Sequence, residues 1–297
     1  MAILETQLDT WSHQGSVTQS SNTYQTIRNA LTASSALYAA KDFNVFLQGS
    51  YGNDTNIYAE SDVDIVIRLD SIFNYDVSGL PAEQAAVFHQ VYSGTADYTF
   101  AEFNQGVATR LSTAFGDDDV TFGTKAYKIK ANGSRRNADV VACYQHRRYT
   151  RFNSQSDSAY VPGIVFPTTP SGRIINYPAA HSTNCTTKHQ QTNSWFKPVV
   201  RIFKNMRKRL VDGGIIDSKC APSYYIECLL YNVPNDKFGT NYDNTVVNCI
   251  NWLHQADRTK LLCANHEYFL LGNSNVQWTA EKCDVFLGAL VSLWNDW

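Results

Sequence analysis

The segment LQGSYGNDTNIYAESDVDIVIR, residues 47–68, constrains the fold of this chain more than any other. Alternating apolar residues just before it predict a short strand from Phe43 to Leu47. The Gly49-Ser50 step then predicts a turn into about two helical turns. Asp62-Val63-Asp64 opens a run of branched apolar residues, which predicts a second strand. Strands interleaved with helices in this way are typical of a mixed α/β fold.

Asp62 and Asp64 flank Val63 at the start of the second predicted strand. Side chains alternate between the faces of a strand, so both carboxylates point the same way with Cα atoms roughly 6.5 Å apart. Val63, Ile65 and Ile67 would then face a core on the other side. Two carboxylates at this spacing can hold a pair of divalent ions, and oxygen ligands suit Mg²⁺, with Mn²⁺ as a substitute. An Asp-x-Asp pair also occurs by chance, but the neighbouring glycine-serine turn favours metal binding.

The turn itself suits a phosphate group. Gly49 lets the backbone approach a ligand closely, and Ser50 offers a hydroxyl and an N–H at a helix start. The positive end of a helix attracts the charge of a nucleotide triphosphate. Taken alone, Gly49-Ser50 is equally typical of an ordinary strand-to-helix turn with a serine cap. The position of this turn beside the two aspartates favours phosphate binding.

A third carboxylate comes from a later strand. Asn132-Gly133 predicts a tight turn, with one strand before it, Lys125 to Lys130, and another after it. Asp139 is the single acid between Thr121 and Gln155, and its neighbours in the second strand are apolar or small. Such an acid is costly unless it is paired, hydrogen-bonded or bound to a metal. A surface carboxylate balanced by Arg135-Arg136 is the alternative; we favour a metal ligand on the nucleophile side, which would help to deprotonate an attacking hydroxyl.

These motifs resemble those of a known superfamily. GSYGNDT, SDVDIVIRL and NADVV are similar to the DNA-polymerase-β-type nucleotidyltransferases. FKPVVRIFKNMR (Phe196 to Arg207) and APSYYIECLLYNVP (Ala221 to Pro234) resemble the CD-NTases, the bacterial relatives of cyclic GMP-AMP synthase, and most of all their clade E. The resemblance implies a polymerase-β-like core with a mixed sheet, a long N-terminal helix and a C-terminal helical domain. The active site would lie in the cleft between the core and that domain.

The resemblance also implies a role for individual residues. Asp62 and Asp64 would hold two Mg²⁺ ions, with Asp139 as the third acid. The other matched positions would bind nucleotide. Gly49 and Ser50 in the turn, and Lys204 and Ser223 in the helical half, would contact the triphosphate. Tyr224 would stack on a base.

The implied reaction joins two or more NTPs into a cyclic oligonucleotide and releases pyrophosphate at each step. In the family this second messenger acts on a separate effector protein, which kills or arrests a phage-infected cell (CBASS). One alternative is a template-independent transferase that modifies an RNA end or a protein. Another is a nucleotide sensor that has lost its chemistry, although the presence of all three acids argues against it.

The choice of base rests on one residue. Asn176 lies in Ile175-Asn176-Tyr177-Pro178, and its amide has a donor and an acceptor that can pair with a base edge. In clade E an Asn in a similar setting goes with pyrimidine use, so the resemblance implies UTP as one substrate, with ATP or a second UTP. A turn-forming Asn before Tyr-Pro is the alternative.

A basic stripe lies on the predicted helix from Asn193 to Val211. Apolar residues recur there at helical spacing and predict a core face, whereas basic residues form a second stripe. The segment from Cys185 to Val211 contains no acid. We expect phosphate contact for Lys204 and solvated surface charge for the rest of the stripe, which comprises Lys197, Arg201 and Lys208.

Composition excludes several classes of partner. With 25 basic and 27 acidic residues the net charge is −2, which argues against a long nucleic acid as the main ligand. No apolar run approaches the length of a membrane helix, and the N-terminus is not a signal peptide, so we expect the cytoplasm, where NTPs are. Seven cysteines, none in a Cys-x-x-Cys pair, are expected to be reduced core thiols. His181, Cys185 and His189 would share a helix face, but zinc would need a fourth ligand.

We expect two domains, a nucleotidyltransferase core at residues 1–160 and a helical domain at 161–297. The pattern from Thr23 to Ala33 predicts an N-terminal helix along the core. The proline-containing stretch from Tyr160 to Pro178 predicts a crossover loop. The segments after it that carry a helical pattern are Asn193 to Val211, Ser223 to Tyr231, Asn244 to Ala256 and Ala280 to Trp294.

Overall fold

The structure is a computed structural model, and it describes residues 2–15, 17–58, 62–167, 172–274 and 276–297. The strands are β1 (Phe43–Leu47), β2 (Val63–Asp76), β3 (Val120–Phe122), β4 (Tyr127–Ile129), β5 (Ala138–Phe152), β6 (Ser158–Pro167) and β7 (Arg173–Asn176). The α-helices are α1 (Glu5–Ser12), α2 (Val17–Leu31), α3 (Gly49–Gly52), α4 (Ala82–Val91), α5 (Phe100–Phe115), α6 (Pro178–Gln191), α7 (Phe196–Asp212), α8 (Ser223–Tyr231), α9 (Tyr242–Gln255) and α10 (Ala280–Asn295). Short 3-10 helices lie at Asn235–Lys237 and Arg258–Lys260.

The chain divides into two compact units. One, the helical unit, comprises Met1–Val17, Gly49–Glu60 and Ala180–Trp297, and the other, the sheet unit, comprises Thr18–Gln48 and Ser61–Ala179. The segment that follows Gly49 therefore belongs to the helical unit, although it lies between two strands of the sheet unit in sequence. The expected division into a core domain at residues 1–160 and a helical domain at 161–297 concerns parts that fold independently, and it stays a prediction.

The described strands form one mixed sheet in the order β1-β2-β5-β4-β3, with β6 paired to β5 and β7 to β6. The β1–β2 pair is antiparallel and the β2–β5 pair is parallel. Along its other edge β5 pairs first with β4 and then with β6, both antiparallel. This arrangement confirms the predicted mixed α/β class and makes β2 and β5 the central strands.

The sequence of β2 explains why it lies at the centre. Val63, Ile65 and Ile67 are fully buried on one face, as the alternation predicted. On the other face Val66 packs in a small apolar cluster with Cys143 of β5 and Ile164 of β6. A strand buried on both faces is typical of a parallel pair at the middle of a sheet. The helix α5 packs against both central strands.

The prediction of a crossover loop from Tyr160 to Pro178 is wrong. Most of that stretch forms β6 and β7, an antiparallel pair that extends the sheet. Pro162 pairs with Arg147 of β5, but β7 pairs only with residues 164–167 of β6. Pro162 lies outside the part of β6 that pairs with β7, so the missing proline N–H can affect only the ladder to β5. Proline content therefore indicated a loop where the chain in fact forms paired strands.

The predicted N-terminal helix exists, with different bounds. The helix α2 begins at Val17 and ends at Leu31, and Ile27 and Leu31 are buried as expected. A separate short helix, α1, precedes it in the helical unit. The predicted two helical turns after Gly49-Ser50 are shorter, since α3 has only four residues.

Helix α7 is the centre of the core in the helical unit. Its predicted apolar face is buried, and it packs against α1, α8, α9 and α10. The other predicted helices of this unit are confirmed within two residues at each end. The buried apolar face of α7 consists of Phe196, Val199, Val200, Phe203, Met206 and Leu210.

Across the ranges that the structure describes, no helix combines the length and apolar character needed to cross a membrane. All seven cysteines are buried free thiols, as the sequence predicted. Burial raises the pKa of most of these thiols, Cys143 among them, so they stay protonated.

Candidate active site

The three predicted acids belong to the sheet unit, and two of them lie side by side. Asp64 on β2 and Asp139 on β5 are direct partners in the parallel register. Neighbouring strands lie about 4.8 Å apart, and residues that face each other across a pair project from the same side of the sheet. Asp62 lies immediately before β2, two residues from Asp64. The structure therefore brings the acids to one corner of the sheet.

The backbone fixes this corner on both sides. The N–H of Gln48 donates to the carbonyl oxygen of Asp64 at 2.9 Å, which joins the end of β1 to β2. The N–H of Val63 donates to the carbonyl oxygen of Asn137 at 3.0 Å, which joins β2 to the start of β5. The positions of Asp64 and Asp139 are thus set by the sheet ladder and not by loop conformation.

The charges of these acids influence each other. Partial burial raises the pKa of Asp139 above its usual range, and the nearby charge of Asp62 raises it further. The ammonium of Lys128, which lies opposite Asp139 on β4, acts in the opposite direction. Carboxylates that repel each other at close range are stabilised by a divalent cation, so this donor set of oxygens fits Mg²⁺.

Lys128 is a residue that sequence reasoning missed. Its only signal was its place in a short strand before the Asn132-Gly133 turn. That turn is confirmed, because Asn132 and Arg135 exchange backbone hydrogen bonds of 3.0 Å and Gly133 has φ 60°. The turn sets the register that places Lys128 opposite Asp139.

Gly49 and Ser50 form the turn that the sequence predicted, in the helical unit. Gly49 has φ 68°, a left-handed conformation that favours glycine over other residues. The carbonyl oxygen of Gly49 accepts from the N–H of Asn53 at 3.1 Å, and that of Ser50 accepts from the N–H of Thr55 at 2.9 Å. The turn is therefore tied to the short loop that follows it, Asn53 to Thr55, which we call the 53–55 loop.

The basic stripe of α7 faces the 53–55 loop. The Nζ of Lys204 is buried and donates to the carbonyl oxygen of Thr55 at 2.9 Å. Lys197 is also buried, and its Nζ lies 2.9 Å from Oδ2 of Asp54. Arg201 donates to the carbonyl oxygen of Asp54. The expectation that Lys197 and Arg201 are solvated surface charge is therefore wrong, because both side chains donate to Asp54 of this loop.

Lys208, the last residue of the stripe, behaves as expected. It is a surface residue that pairs with Asp212 one helical turn later. The predicted phosphate contact of Lys204 stays a prediction.

Ser223 and Tyr224 begin α8. Ser223 is half-buried at the first helical position, directly after Pro222. The ring of Tyr224 stacks on those of His181 and Trp278, with centroids 4.8 and 5.7 Å apart. Burial raises the pKa of the Tyr224 phenol, whose oxygen accepts from Asn265. Tyr224 is thus part of an aromatic stack within the protein, and its stacking on a base stays a prediction.

Glu227 on α8 is a second residue that sequence reasoning missed. It is 2% exposed, and its Oε1 accepts from the hydroxyl of Thr55 at 2.5 Å. Its Oε2 accepts from Nδ2 of Asn53 at 2.9 Å and from Nε2 of His181 at 2.8 Å. Burial alone would raise the pKa of Glu227, but His181, Lys204 and Thr55 outweigh it and lower the pKa to about 2. The signal was a lone acid in the apolar helix SYYIECLLY.

Of the three possible zinc ligands noted on α6, His181 and Cys185 lie together in a cluster and His189 does not. His181, Cys185 and Glu227 place one ligand atom each within 4.8 Å of one another. The ring of His189 instead accepts from the N–H of Lys197 at 3.3 Å. Because Glu227 already accepts three hydrogen bonds and lies near the charge of Lys204, a hydrogen-bonded network fits this cluster better than a dication does.

Asn176 is the last residue of β7, in the sheet unit. Its Oδ1 accepts from the N–H of Tyr177 at 2.8 Å, and the residue is half-buried. It pairs with Ile164 of β6. The structure therefore includes the turn-like hydrogen bond of the alternative interpretation, and base pairing by Asn176 stays a prediction.

Comparisons with known proteins identify the family of the chain. Residues 183–295 match the family described as the cGAS/DncV-like nucleotidyltransferase C-terminal helical domain. A cyclic UMP-AMP synthase from Rhodothermus marinus is 41% identical over 100% of this chain and 99% of its own length. The cyclic nucleotide synthase CdnE01 of Staphylococcus haemolyticus is 39% identical over 100% of both chains.

A solved structure gives the same result for the fold. The Rhodothermus marinus CdnE c-UMP-AMP synthase with Apcpp and Upnpp superposes with a TM-score of 0.88 at 39% identity, covering 99% of this chain and 97% of that chain. Identity of this size over whole chains shows common family membership. The chain therefore belongs to the CD-NTases, the cGAS/DncV-like nucleotidyltransferases, and is a cyclic oligonucleotide synthase similar to the CdnE enzymes.

Proposed function

We propose that the enzyme joins UTP to ATP, or to a second UTP, in a cyclic dinucleotide and releases pyrophosphate at each step. The observation that carries this proposal is the register of β2 and β5, which sets Asp64 directly beside Asp139 with Asp62 at the strand start. Three carboxylates at one corner of a rigid sheet suit a reaction on nucleotide phosphates. The similarity to a synthase solved with Apcpp and Upnpp supports the choice of substrates.

Asp62, Asp64 and Asp139 would hold two Mg²⁺ ions, or Mn²⁺ in their place. When bound, these ions supply charge stabilisation at the phosphoryl oxygens and favour ionisation of the attacking hydroxyl. In each step a ribose hydroxyl oxygen forms a bond to the α-phosphorus of an NTP, and the bond between the α-phosphorus and its bridging oxygen breaks. Asp139 would help to take up the hydroxyl proton on the nucleophile side, and pyrophosphate leaves with the bridging oxygen.

The residues of the helical unit would bind the nucleotides. Gly49 and Ser50 would contact the triphosphate with backbone N–H groups and a hydroxyl, and Lys204 and Ser223 would contact its tail. Tyr224 would stack on a base. Such contacts would rest on the attraction of hydrogen-bond donors and cations for phosphate oxygens.

Asn176 would select the base. Its amide offers a donor and an acceptor, which match the adjacent carbonyl and N–H of uracil. The enzyme would work in the cytoplasm, and its product would act on a separate effector protein in anti-phage signalling. The remaining alternative is a transferase that modifies an RNA end or a protein. The near-neutral net charge of −2 does not favour a long RNA substrate.

Incubation of the purified protein with the four NTPs and Mg²⁺ tests the proposal. We expect a product that resists phosphatase and contains uridine, with pyrophosphate formed in proportion. The double variant Asp62→Asn, Asp64→Asn should make no product and should keep the circular dichroism spectrum of the wild type. Label transferred to RNA or protein instead of a cyclic product would establish the alternative. A double variant with full activity would show that the site lies elsewhere.

A further inference from the structure

We propose that Glu227 is a positioning residue that holds the 53–55 loop and, through it, the Gly49-Ser50 turn in the conformation that binds a nucleotide triphosphate. This inference rests on the proposed function of that turn. All of the residues involved belong to the helical unit. Glu227 would not touch substrate; it would act through the loop.

The carboxylate of Glu227 ties two loop residues to α8. Its two oxygens accept from the side chains of Thr55 at 2.5 Å and Asn53 at 2.9 Å, and both partners are buried. His181 on α6 donates to the same carboxylate at 2.8 Å and fixes it from a second helix. Hydrogen bonds to an ionised acceptor are the strong ones in a protein interior. The loop is thus fastened to two helices through one side chain.

Thr55 is held at three of its polar atoms. Its hydroxyl donates to Glu227, its carbonyl oxygen accepts from Nζ of Lys204 at 2.9 Å, and its N–H donates to the carbonyl oxygen of Ser50 at 2.9 Å. The N–H of Asn53 donates in the same way to Gly49 at 3.1 Å. A displacement of Thr55 or Asn53 therefore moves the turn itself. The direct packing of α3 against α8 agrees with this coupling.

A neutral side chain of the same shape cannot replace the carboxylate. Three donors converge on Glu227, whereas the amide of a glutamine would turn its own NH₂ group toward one of them. The buried ammonium of Lys204 would also lose the negative charge nearby. A ligand that binds through backbone N–H groups needs those groups held in place before it arrives. Loss of the network should therefore weaken triphosphate binding more than it slows the chemistry.

The test compares Glu227→Gln and Thr55→Val with Thr55→Ser and with a matched control, Thr245→Val. Thr245 is equally buried in the same unit, and its hydroxyl donates to the carbonyl oxygens of Gly239 and Asn241, far from the turn in sequence. The measurements are KM and kcat for each NTP, the melting temperature, and calorimetric binding of a nonhydrolysable NTP. The calorimetric readout does not depend on turnover.

We expect Glu227→Gln and Thr55→Val to raise KM and the dissociation constant by about tenfold or more while kcat changes little, the pattern of lost uniform binding. Thr55→Ser keeps the hydroxyl and should restore wild-type KM. Thr245→Val should lower the melting temperature and leave KM unchanged.

Wild-type KM and wild-type binding in Thr55→Val would overturn the inference. So would stoichiometric zinc in the purified protein that is lost in Glu227→Gln, because the cluster would then be a metal site. If Glu227→Gln does not fold, the Thr55→Val and Thr55→Ser pair decides. If the wild type makes no cyclic product, the proposed function fails, whereas calorimetric binding still tests the positioning role by itself.

Discussion

At the scale of single residues, the three candidate acids lie close enough for their negative charges to repel each other. Asp139 is half-buried beside Asp64, and the charge of Asp62 raises its pKa. Such a site is less stable by itself than a neutral one of the same shape. Repulsion of this kind is common where a cation is to be bound. The same feature makes the role of Asp139 measurable by stability as well as by activity.

Asp139→Asn should abolish activity and stabilise the protein in EDTA. The folded-state pKa of Asp139 is raised, so its favourable contribution is present at low pH and is lost as pH rises through that pKa. The melting temperature of the variant should therefore exceed that of the wild type by more at pH 7 than at pH 4. Mg²⁺ should raise the melting temperature of the wild type and not of the variant.

The matched control is Asp117→Asn, at an exposed acid between α5 and β3. It should change neither activity nor the pH dependence of the melting temperature. A destabilised Asp139→Asn protein at pH 7 would contradict the assignment of a strained acid.

Lys128→Ala should shift the acidic limb of the activity profile to higher pH. The charge of Lys128 lowers the pKa of Asp139, so its removal lets that pKa rise. Asp139 must lose its proton before it can bind Mg²⁺, so binding of the ion then needs a higher pH. The measurement is kcat/KM as a function of pH, with Lys128→Arg as the variant that keeps the charge. An unchanged acidic limb would show that Asp139 does not limit the rate there.

At the scale of elements, the β6–β7 pair sets the position of Asn176. A side chain at Gly163 of β6 would place its Cβ 2.9 Å from the carbonyl oxygen of Asn176 and 3.1 Å from the ring of Tyr177. Contacts that short force the backbone to move. Glycine at this position therefore lets β7 end at Asn176, the residue that we propose selects the base.

Gly163→Ala should shift the end of β7. We expect a loss of about 1–3 kcal/mol in the free energy of unfolding, typical of overpacking. We also expect the substitution to raise the KM for UTP more than the KM for the other NTPs. Chemical denaturation and competition between NTPs provide the measurements. Gly288→Ala on α10 is the control, since among the described residues no atom from outside its own stretch of helix lies within 4 Å of the added Cβ. An unchanged preference for UTP in a destabilised Gly163→Ala protein would remove β7 from base selection.

At the scale of the whole molecule, the chain assigns its proposed chemistry and its proposed phosphate contacts to different units. The acids lie in the sheet unit, whereas the Gly49-Ser50 turn, Lys204 and Ser223 lie in the helical unit. The chain enters the helical unit between β1 and β2, so neighbouring residues in sequence serve both parts.

A nonhydrolysable NTP at one hundred times its dissociation constant should stabilise the protein by about 2.7 kcal/mol in the presence of Mg²⁺. At the same nucleotide concentration, the double variant Asp62→Asn, Asp64→Asn should be stabilised less than the wild type, because it cannot hold the ions that neutralise the triphosphate. Thermal melts with and without nucleotide measure both. Equal stabilisation of the variant and the wild type would show that the two aspartates do not contribute to binding.

The sequence alone determined much of the local structure. Alternation located β1 and the buried face of β2, and helical spacing located the core face of α7, because burial of apolar side chains follows the periodicity of each element. It also pointed to Asp62, Asp64 and Asp139 as candidates, since acids adjoining apolar strands need a reason to be there. It failed for β6 and β7, where prolines indicated a loop but long-range pairing with β5 builds two strands.

Only the tertiary structure decided which side chains meet. No local pattern pairs Asp64 with Asp139 or sets Lys128 opposite it, because strand register depends on partners distant in sequence. The same holds for Glu227 and Lys197, which read as an isolated acid and a surface cation but face the 53–55 loop across more than a hundred residues of chain. Sequence fixes what each segment can bury, whereas long-range packing decides which charges and donors that burial brings together.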